Sequence, residues 1–253
     1  MSSGVGILVQ HDDVTVRFNR VNHRDGANGV RVDSSARNVV VEFNDLEGHY
    51  RSQPSGNFGS IGVWSKGDSV TVRRNHFRGG RDGIHLYGTN SQAVENWVTD
   101  LHRHSGAHND SIVFGGQAAY ANNLIARNRT VAGNSGGIDL YAMYGPIRGV
   151  QVVDNLIVGV GKGFGIYGGY VQPLSGPAYH HENRDIRIEG NRFSGEFGWP
   201  MTQGEGSNAA TNLSQPGNTY ANNRWVDGTT DLPARCGTTQ DRCAANTSIL
   251  PVD

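Results

Sequence analysis

The chain has 253 residues, 36% of them apolar, with a mean hydropathy of −0.49; it is long enough to bury a core but has no run near the roughly 18 apolar residues of a membrane span. Thirty-six glycines and a formal net charge of −1 argue against a helix-rich fold and against a whole-chain field that would draw nucleic acid or a membrane as partner. The start, MSSGVGILVQ, lacks the basic region and long apolar core of a signal peptide.

Short apolar alternations follow one another along the chain. VGILVQ (5–10) leads into VTVRFNRV (14–21), and NGVRVD (28–33) leads into VVVEFNDL (39–46). GSIGVW (59–64) precedes VTVRRNHF (70–77), DGIHLY (82–87) precedes AVENWV (93–98), and DSIVFG (110–115) precedes YANNLI (120–125). GGIDLY (136–141), VQVVDNLI (150–157), FGIYGG (164–169), IRIEGNRF (186–193) and YANNRW (220–225) complete the series. The recurring unit is β-branched, x, β-branched, x, x, Asn, x, bulky apolar, with asparagines at Asn19, Asn44, Asn75, Asn96, Asn123, Asn155, Asn191 and Asn223. Asparagine tolerates left-handed backbone at turns, and stacked amides can bond from coil to coil, so these eight residues are assigned to structure.

Strands this short expose alternate side chains to opposite faces, so one coil of roughly 21 to 36 residues cannot close a core by itself; stacked coils can. The spacing, with GI strands between the Asn units, resembles the right-handed parallel β-helix of the pectin-lyase-like superfamily over about residues 5 to 225. The expected fold is all-β: a single-stranded right-handed parallel β-helix of about seven to eight coils spanning 1–228, with an irregular C-terminal cover at 229–253. Within that cover Cys236 and Cys243 flank GTTQDR; a disulfide between them would place the protein in an oxidising compartment, and a reduced pair is the alternative. The expected location is secreted, extracellular or periplasmic. The repeat begins almost at residue 1, so a preceding segment or a second chain is expected to cover the first coil.

Aligning the GI strands puts Ile7, Val30, Ile61, Ile84, Ile112, Ile138 and Ile166 in one inward column. Val9, Val32, Val63, Leu86, Phe114, Leu140 and Gly168 then form a second. Between the two, Leu8, Arg31, Gly62, His85, Val113, Asp139 and Tyr167 point outward, and one position further come Trp64, Tyr87, Gly115 and Tyr141. In this register Trp64 and Tyr87 are direct neighbours, and Gly115 leaves a gap before Tyr141. An outer face with Arg31, Trp64, Tyr87, Tyr141, Tyr144 and Tyr167 suits sugar rings, whose C–H faces stack on aromatic faces while hydroxyls seek polar groups. Packing of these aromatics beneath long turns is the competing explanation.

His102, His104, His108 and Asp110 fall within nine residues, but the spacing matches no zinc signature, so no metal or cofactor is expected; calcium between carboxylates of adjacent coils is the minor alternative. Asp82 and Asp110 occupy equivalent strand entrances on successive coils, where they either approach as a carboxylate pair or cap turns. Asp82 is read mainly as a turn cap.

Histidine titrates near neutrality, tyrosine can move a proton, and arginine can neutralise a substrate carboxylate. The resemblance implies polysaccharide lyases, epimerases and glycosidases, although the DPH tripeptide of alginate epimerases and the Asp-Asp and Gly-His-Gly signatures of polygalacturonase-like hydrolases are absent. The expected function is lyase or C5-epimerase chemistry on a uronic-acid polysaccharide or oligosaccharide. His85, His108, Asp110, Asp139 and Tyr141 are the catalytic candidates, and Arg31, Trp64, Tyr87, Tyr144 and Tyr167 the binding candidates. Hydrolysis by an Asp pair and non-catalytic glycan binding or surface attachment are the alternatives. No oligomeric state is predicted.

Overall fold

The computed structural model describes residues 4–23, 27–49, 60–101, 109–115, 122–132, 136–141, 146–160, 164–168, 184–196, 199–201 and 217–226. His108, Tyr144, Cys236, Cys243 and the 229–253 cover lie outside the described residues.

Among those residues the chain forms three eight-stranded sheets in which every strand pairs in parallel with the equivalent strand of the next coil. This is a right-handed parallel β-helix of eight coils. The first sheet contains the GI strands, such as Asp82–Leu86 and Gly136–Tyr141. The repeat unit, which reads in the sequence as one element, is two strands. Its β-branched half lies in the second sheet, as in Thr71–Arg73, and its bulky apolar residue lies in the third, as in His76–Gly79.

Each coil turns twice through a residue with positive φ, five residues apart. Asp13, Asn38, Ser69, Asn90, Asn122, Gly149, Asp185 and Gly217 mark the bend from first to second sheet. Phe18, Phe43, Arg74, Glu95, Arg127, Asp154, Gly190 and Asn222 mark the bend from second to third. The left-handed residue at the second bend is thus the one before the recurring asparagine, whose own role is to bond. Each amide Oδ1 accepts the backbone N–H and the Nδ2–H of its counterpart one coil earlier, at 2.9–3.1 Å.

The ladder runs Asn19, Asn44, Asn75, Asn96, Asn128, Asn155, Asn191, Asn223. Asn128, not Asn123, fills the fifth rung, so the repeat copy in that coil is LIARNRTV (124–131). Asn123 stands at the other bend, where its Oδ1 accepts the Ser91 N–H and its Nδ2 donates to the Gly88 carbonyl.

The inward column of the first sheet also differs by one coil: Val30 pairs with Val63, and Val63 with Ile84, so Ile61 stands opposite Asn28 and Asp82. The small residue at the corner sets this register. Gly29, Gly62, Gly83 and Ser111 each precede the column residue directly. A Cβ on Gly83 would lie 2.5 Å from the Ser111 carbonyl oxygen and against the Val98 side chain, so this corner position faces the third sheet. The core of stacked Val, Ile, Leu and Phe side chains runs continuously through all three sheets.

Removing one buried rung strands a backbone N–H on one side and carbonyls on the other, at roughly 1–3 kcal/mol per unsatisfied group. Asn75 Nδ2 donates to the Val41 and Arg73 carbonyls and to Asn96. Asn75→Ala is therefore expected to cost roughly 3 kcal/mol by urea unfolding, against roughly 1 kcal/mol for Asn19→Ala on the half-buried first rung.

Candidate active site

The corner glycine brings two acid–base residues to one face. Because Gly83 and Ile84 both point inward, Asp82 and His85 both point outward, although strict alternation over three residues would separate them. His85 Nε2 lies 3.0 Å from Asp82 Oδ2, and His85 Nδ1 lies 3.0 Å from the Tyr87 hydroxyl. Arg81 donates to the same Asp82 oxygen through Nε at 2.8 Å and Nη2 at 2.7 Å. Asp82 Oδ1 accepts the Asp110 backbone N–H at 3.1 Å.

Asp82 is both the turn cap read from the sequence and a charged partner of His85. Burial pushes its carboxyl upward, but the hydrogen bond and charge of His85, with those of Arg81, outweigh burial and hold it below the usual carboxylate range. When the imidazole is neutral, the ionised Asp82 fixes its single proton on Nε2 and leaves Nδ1 to accept from the Tyr87 hydroxyl. The result is a carboxylate–imidazole–phenol chain whose last member is half-buried, whereas Asp82 and His85 are 3% and 7% exposed.

Asp110 and Asp139 form a second group one and two coils on. Asp110 Oδ1 accepts the Gly136 N–H at 2.8 Å, and its carboxyl is hydrogen-bonded to that of Asp139. Burial, the neighbouring Asp110 charge and the shared hydrogen bond, with a further contribution from Asp82, hold the Asp139 carboxyl well above its ordinary value. Asp139 therefore holds its proton to higher pH than an ordinary aspartate and, when protonated, donates it to Asp110. Its Oδ1 has no hydrogen-bond partner. It lies against Gly136, where an added Cβ would fall 1.5 Å away; only glycine admits the carboxyl.

The aromatic candidates take a different arrangement from the expected one. Trp64 pairs in register with Arg31 and His85, which places it diagonal to Tyr87, with ring centroids 6.0 Å apart. Lys66 is the lateral neighbour of Tyr87, whose N–H bonds the Ser65 carbonyl. The Arg31 guanidinium and the Lys66 ammonium both lie 5.0 Å from the Trp64 ring. Arg31 is tied to Asp33 at 2.9 Å; none of the described carboxylates pairs with exposed Lys66.

Gly115 does not leave a gap. A Cβ there would meet the Tyr87 ring at 2.2 Å, so the ring lies across the Gly115 backbone. Tyr141 pairs laterally with Gly115 and packs against Tyr167 with the rings tilted and their centroids 6.1 Å apart. Tyr167 is buried against Phe164. Val113 separates His85 from Asp139 on the sheet.

The structure thus gathers Arg31, Trp64, His85 and Tyr87 into one constellation and Asp110 with Asp139 into an adjoining one, while Tyr141 and Tyr167 form a third group. Arg81 and Lys66 were not singled out from the sequence, and Asp82 was read mainly as a cap. The motif Asp-Gly-x-His-x-Tyr at 82–87 carried the signal, once the glycine is taken as a corner. Among the described residues no three His, Cys, Asp or Glu side chains are gathered to hold a metal ion.

The unfolded chain ionises an ordinary aspartate near pH 3.9, whereas native Asp139 keeps its proton to higher pH. The native state therefore loses relative stability through this group as pH rises above about 4. Asp82 has the opposite sign: its contribution is present above about pH 4 and is lost as pH falls through its depressed native pKa. Asp139→Asn, which keeps shape and donor, is expected to raise the urea midpoint at pH 7, with the gain shrinking toward pH 4. A lower midpoint at pH 7 would contradict a raised Asp139 carboxyl.

Residues 3–193 match the family model described as "Right handed beta helix region". No curated protein matches the sequence. Among solved structures, the crystal structure of the Dettilon tailspike protein is similar, at 12% identity and a TM-score of 0.38, over 88% of this chain and 55% of that one. The chain thus spans about half the length of that protein. With three parallel sheets closed into eight coils and a family match over most of its length, the chain belongs to the right-handed β-helix family.

Proposed function

We propose that the outer face of the first sheet binds an acidic polysaccharide and moves the proton beside its carboxylate, giving β-elimination or C5 epimerisation. The observation that carries this reading is the Asp82–His85–Tyr87 chain, because it ends on a half-buried phenol beside an aromatic and cationic patch. Trp64 supplies a face for a sugar ring, and Lys66, over that ring and with no carboxylate partner among the described residues, is placed to meet the uronate carboxylate.

Transfer of the Tyr87 proton to His85 Nδ1 leaves a phenolate and an imidazolium facing the Asp82 carboxylate. The phenolate removes the C5 proton, and Lys66 stabilises the enolate-like charge on the substrate carboxylate. In elimination the C5 electron pair forms the C4–C5 double bond, the C4–O bond breaks, and the Tyr87 hydroxyl returns a proton to the departing oxygen. In epimerisation a water molecule on the opposite face protonates that pair, and the proton taken by Tyr87 neutralises the hydroxide left behind.

One observation favours a second reading: the Asp139 carboxyl, hydrogen-bonded to Asp110 and raised by burial and by that neighbour, resembles the separated carboxyl pair that glycoside hydrolysis uses. Both residues are more than nine-tenths buried, Asp110 at 8% and Asp139 at 5% exposure. The phenol, being half-buried, is the better placed group to meet a polymer.

The test is a panel of polyuronates, with absorbance of unsaturated ends and hydrogen exchange at C5 as readouts. Tyr87→Phe is expected to lower kcat by about 10²–10⁴ with KM changed only a few-fold, and His85→Asn to act similarly. New reducing ends without unsaturation, lost in Asp139→Asn, would replace elimination by hydrolysis. Glycan binding with neither product, unchanged by either Tyr87 or His85 substitution, would make the protein a binding module.

A further inference from the structure

We propose that the bend between the second and third sheets in the last three coils is a second binding site, an oxyanion cleft that takes acidic oligosaccharide. It is carried by different residues from the Tyr87 face and does not depend on the chemistry read there. A cleft of about 600 Å³ is lined by Asp154, Arg187, Glu189, Arg192, Asn222 and Arg224, among others.

The charges in this cleft are arranged unlike those elsewhere on the same two sheets. Arg73 is matched by Glu42, Arg74 and Arg127 by Glu95, and Arg78 by Asp45 and Glu47. Arg17 and Arg129 lie over the Phe18 and Trp97 rings. In the cleft Glu189 is taken by Arg187. Arg192 and Arg224 then stand directly opposite each other in register, with no acidic or aromatic partner among the described residues. Like charges on neighbouring strands, about 4.8 Å apart, repel unless an anion joins them. Asp154 rests its carboxylate on Gly190 and leaves the lining with three guanidiniums against two carboxylates.

Two guanidiniums one strand spacing apart fit the carboxylates or sulfates of an acidic sugar chain, each a planar or forked oxyanion suited to bidentate bonding. Asn222 adds an amide for hydroxyls. Nucleic acid fits less well: no aromatic ring lines the cleft to stack a base.

The experiment is calorimetric titration of the full chain, in a Tyr87→Phe background so that no substrate turns over. The probes are a uronate hexasaccharide, a neutral hexasaccharide and inorganic sulfate. The hexauronate is expected to bind in two phases. Arg192→Gln with Arg224→Gln should weaken one phase at least about tenfold, leave the other unchanged and leave the circular dichroism spectrum intact. The single reversal Arg224→Glu, at an exposed position, should do the same. Hexauronate binding unchanged by these substitutions would overturn the proposal. So would a neutral hexasaccharide that binds the cleft equally well, or sulfate that binds there without any gain for hexauronate. Both phases are read without catalysis, so an inert Tyr87 face and an empty cleft give different results.

Discussion

The ladder of asparagine amides from Asn19 to Asn223 is the contact on which the rest of the molecule depends. At the bend from second to third sheet a left-handed residue interrupts the strand, and the N–H that follows is buried where water does not reach it. The next coil's amide oxygen accepts that N–H, and the amide nitrogen covers carbonyls left open by the bend. Since one rung bonds only the next, the ladder fixes which residue of each coil stacks on which. The columns of the second and third sheets inherit their order from this register, whereas in the first sheet the corner glycine sets which residues stack and so pairs Trp64 with His85.

The opposite corner repeats the device with charged groups. Asp82 and Asp110 accept backbone N–H groups from the next coil, in the opposite sense to the asparagines, which accept from the coil before. Their remaining oxygens are drawn into chemistry: Asp82 to Arg81 and His85, and Asp110 to the Asp139 carboxyl. A carboxylate in a dry corner is less favourable than an amide unless charge or a proton offsets it. The two resolve this differently. His85 and Arg81 hold one below the usual carboxylate range, and the raised Asp139 carboxyl, sharing a hydrogen bond, lets the other remain beside it. Acid and base character thus arises on one strand face from position alone, at a cost to stability that an amide at Asp139 would relieve.

Most of the fold was legible in the sequence because each coil repeats the same constraint. The recurring Asn and its β-branched neighbours identify the stack, and the inward column follows from alternation. Two features were hidden by alternation itself. Ile61 looks like a column residue, but the glycine before Val63 decides the register. Asp82 and His85 look like residues of opposite faces until Gly83 is recognised as a corner. Asn123 attracted notice because YANNLI has the local look of a copy, whereas Asn128 completes the ladder. The partnership of Tyr87 with His85 depends on a ring laid across Gly115, and spacing carries no information about that. Lys66 is not legible as a site residue, because its place beside Tyr87 follows only from the corrected register.

The central claim is the direction of the proton chain, with His85 donating from Nε2 to Asp82 and accepting at Nδ1 from Tyr87. Nitrogen-15 NMR of the His85 ring at pH 8 tests it most directly. The account predicts the Nε2–H tautomer in the wild type and its loss as the dominant form in Asp82→Ala. An Nδ1–H tautomer in the wild type would contradict it, because the Tyr87 hydroxyl would then face a donor and could not pass its proton to the imidazole.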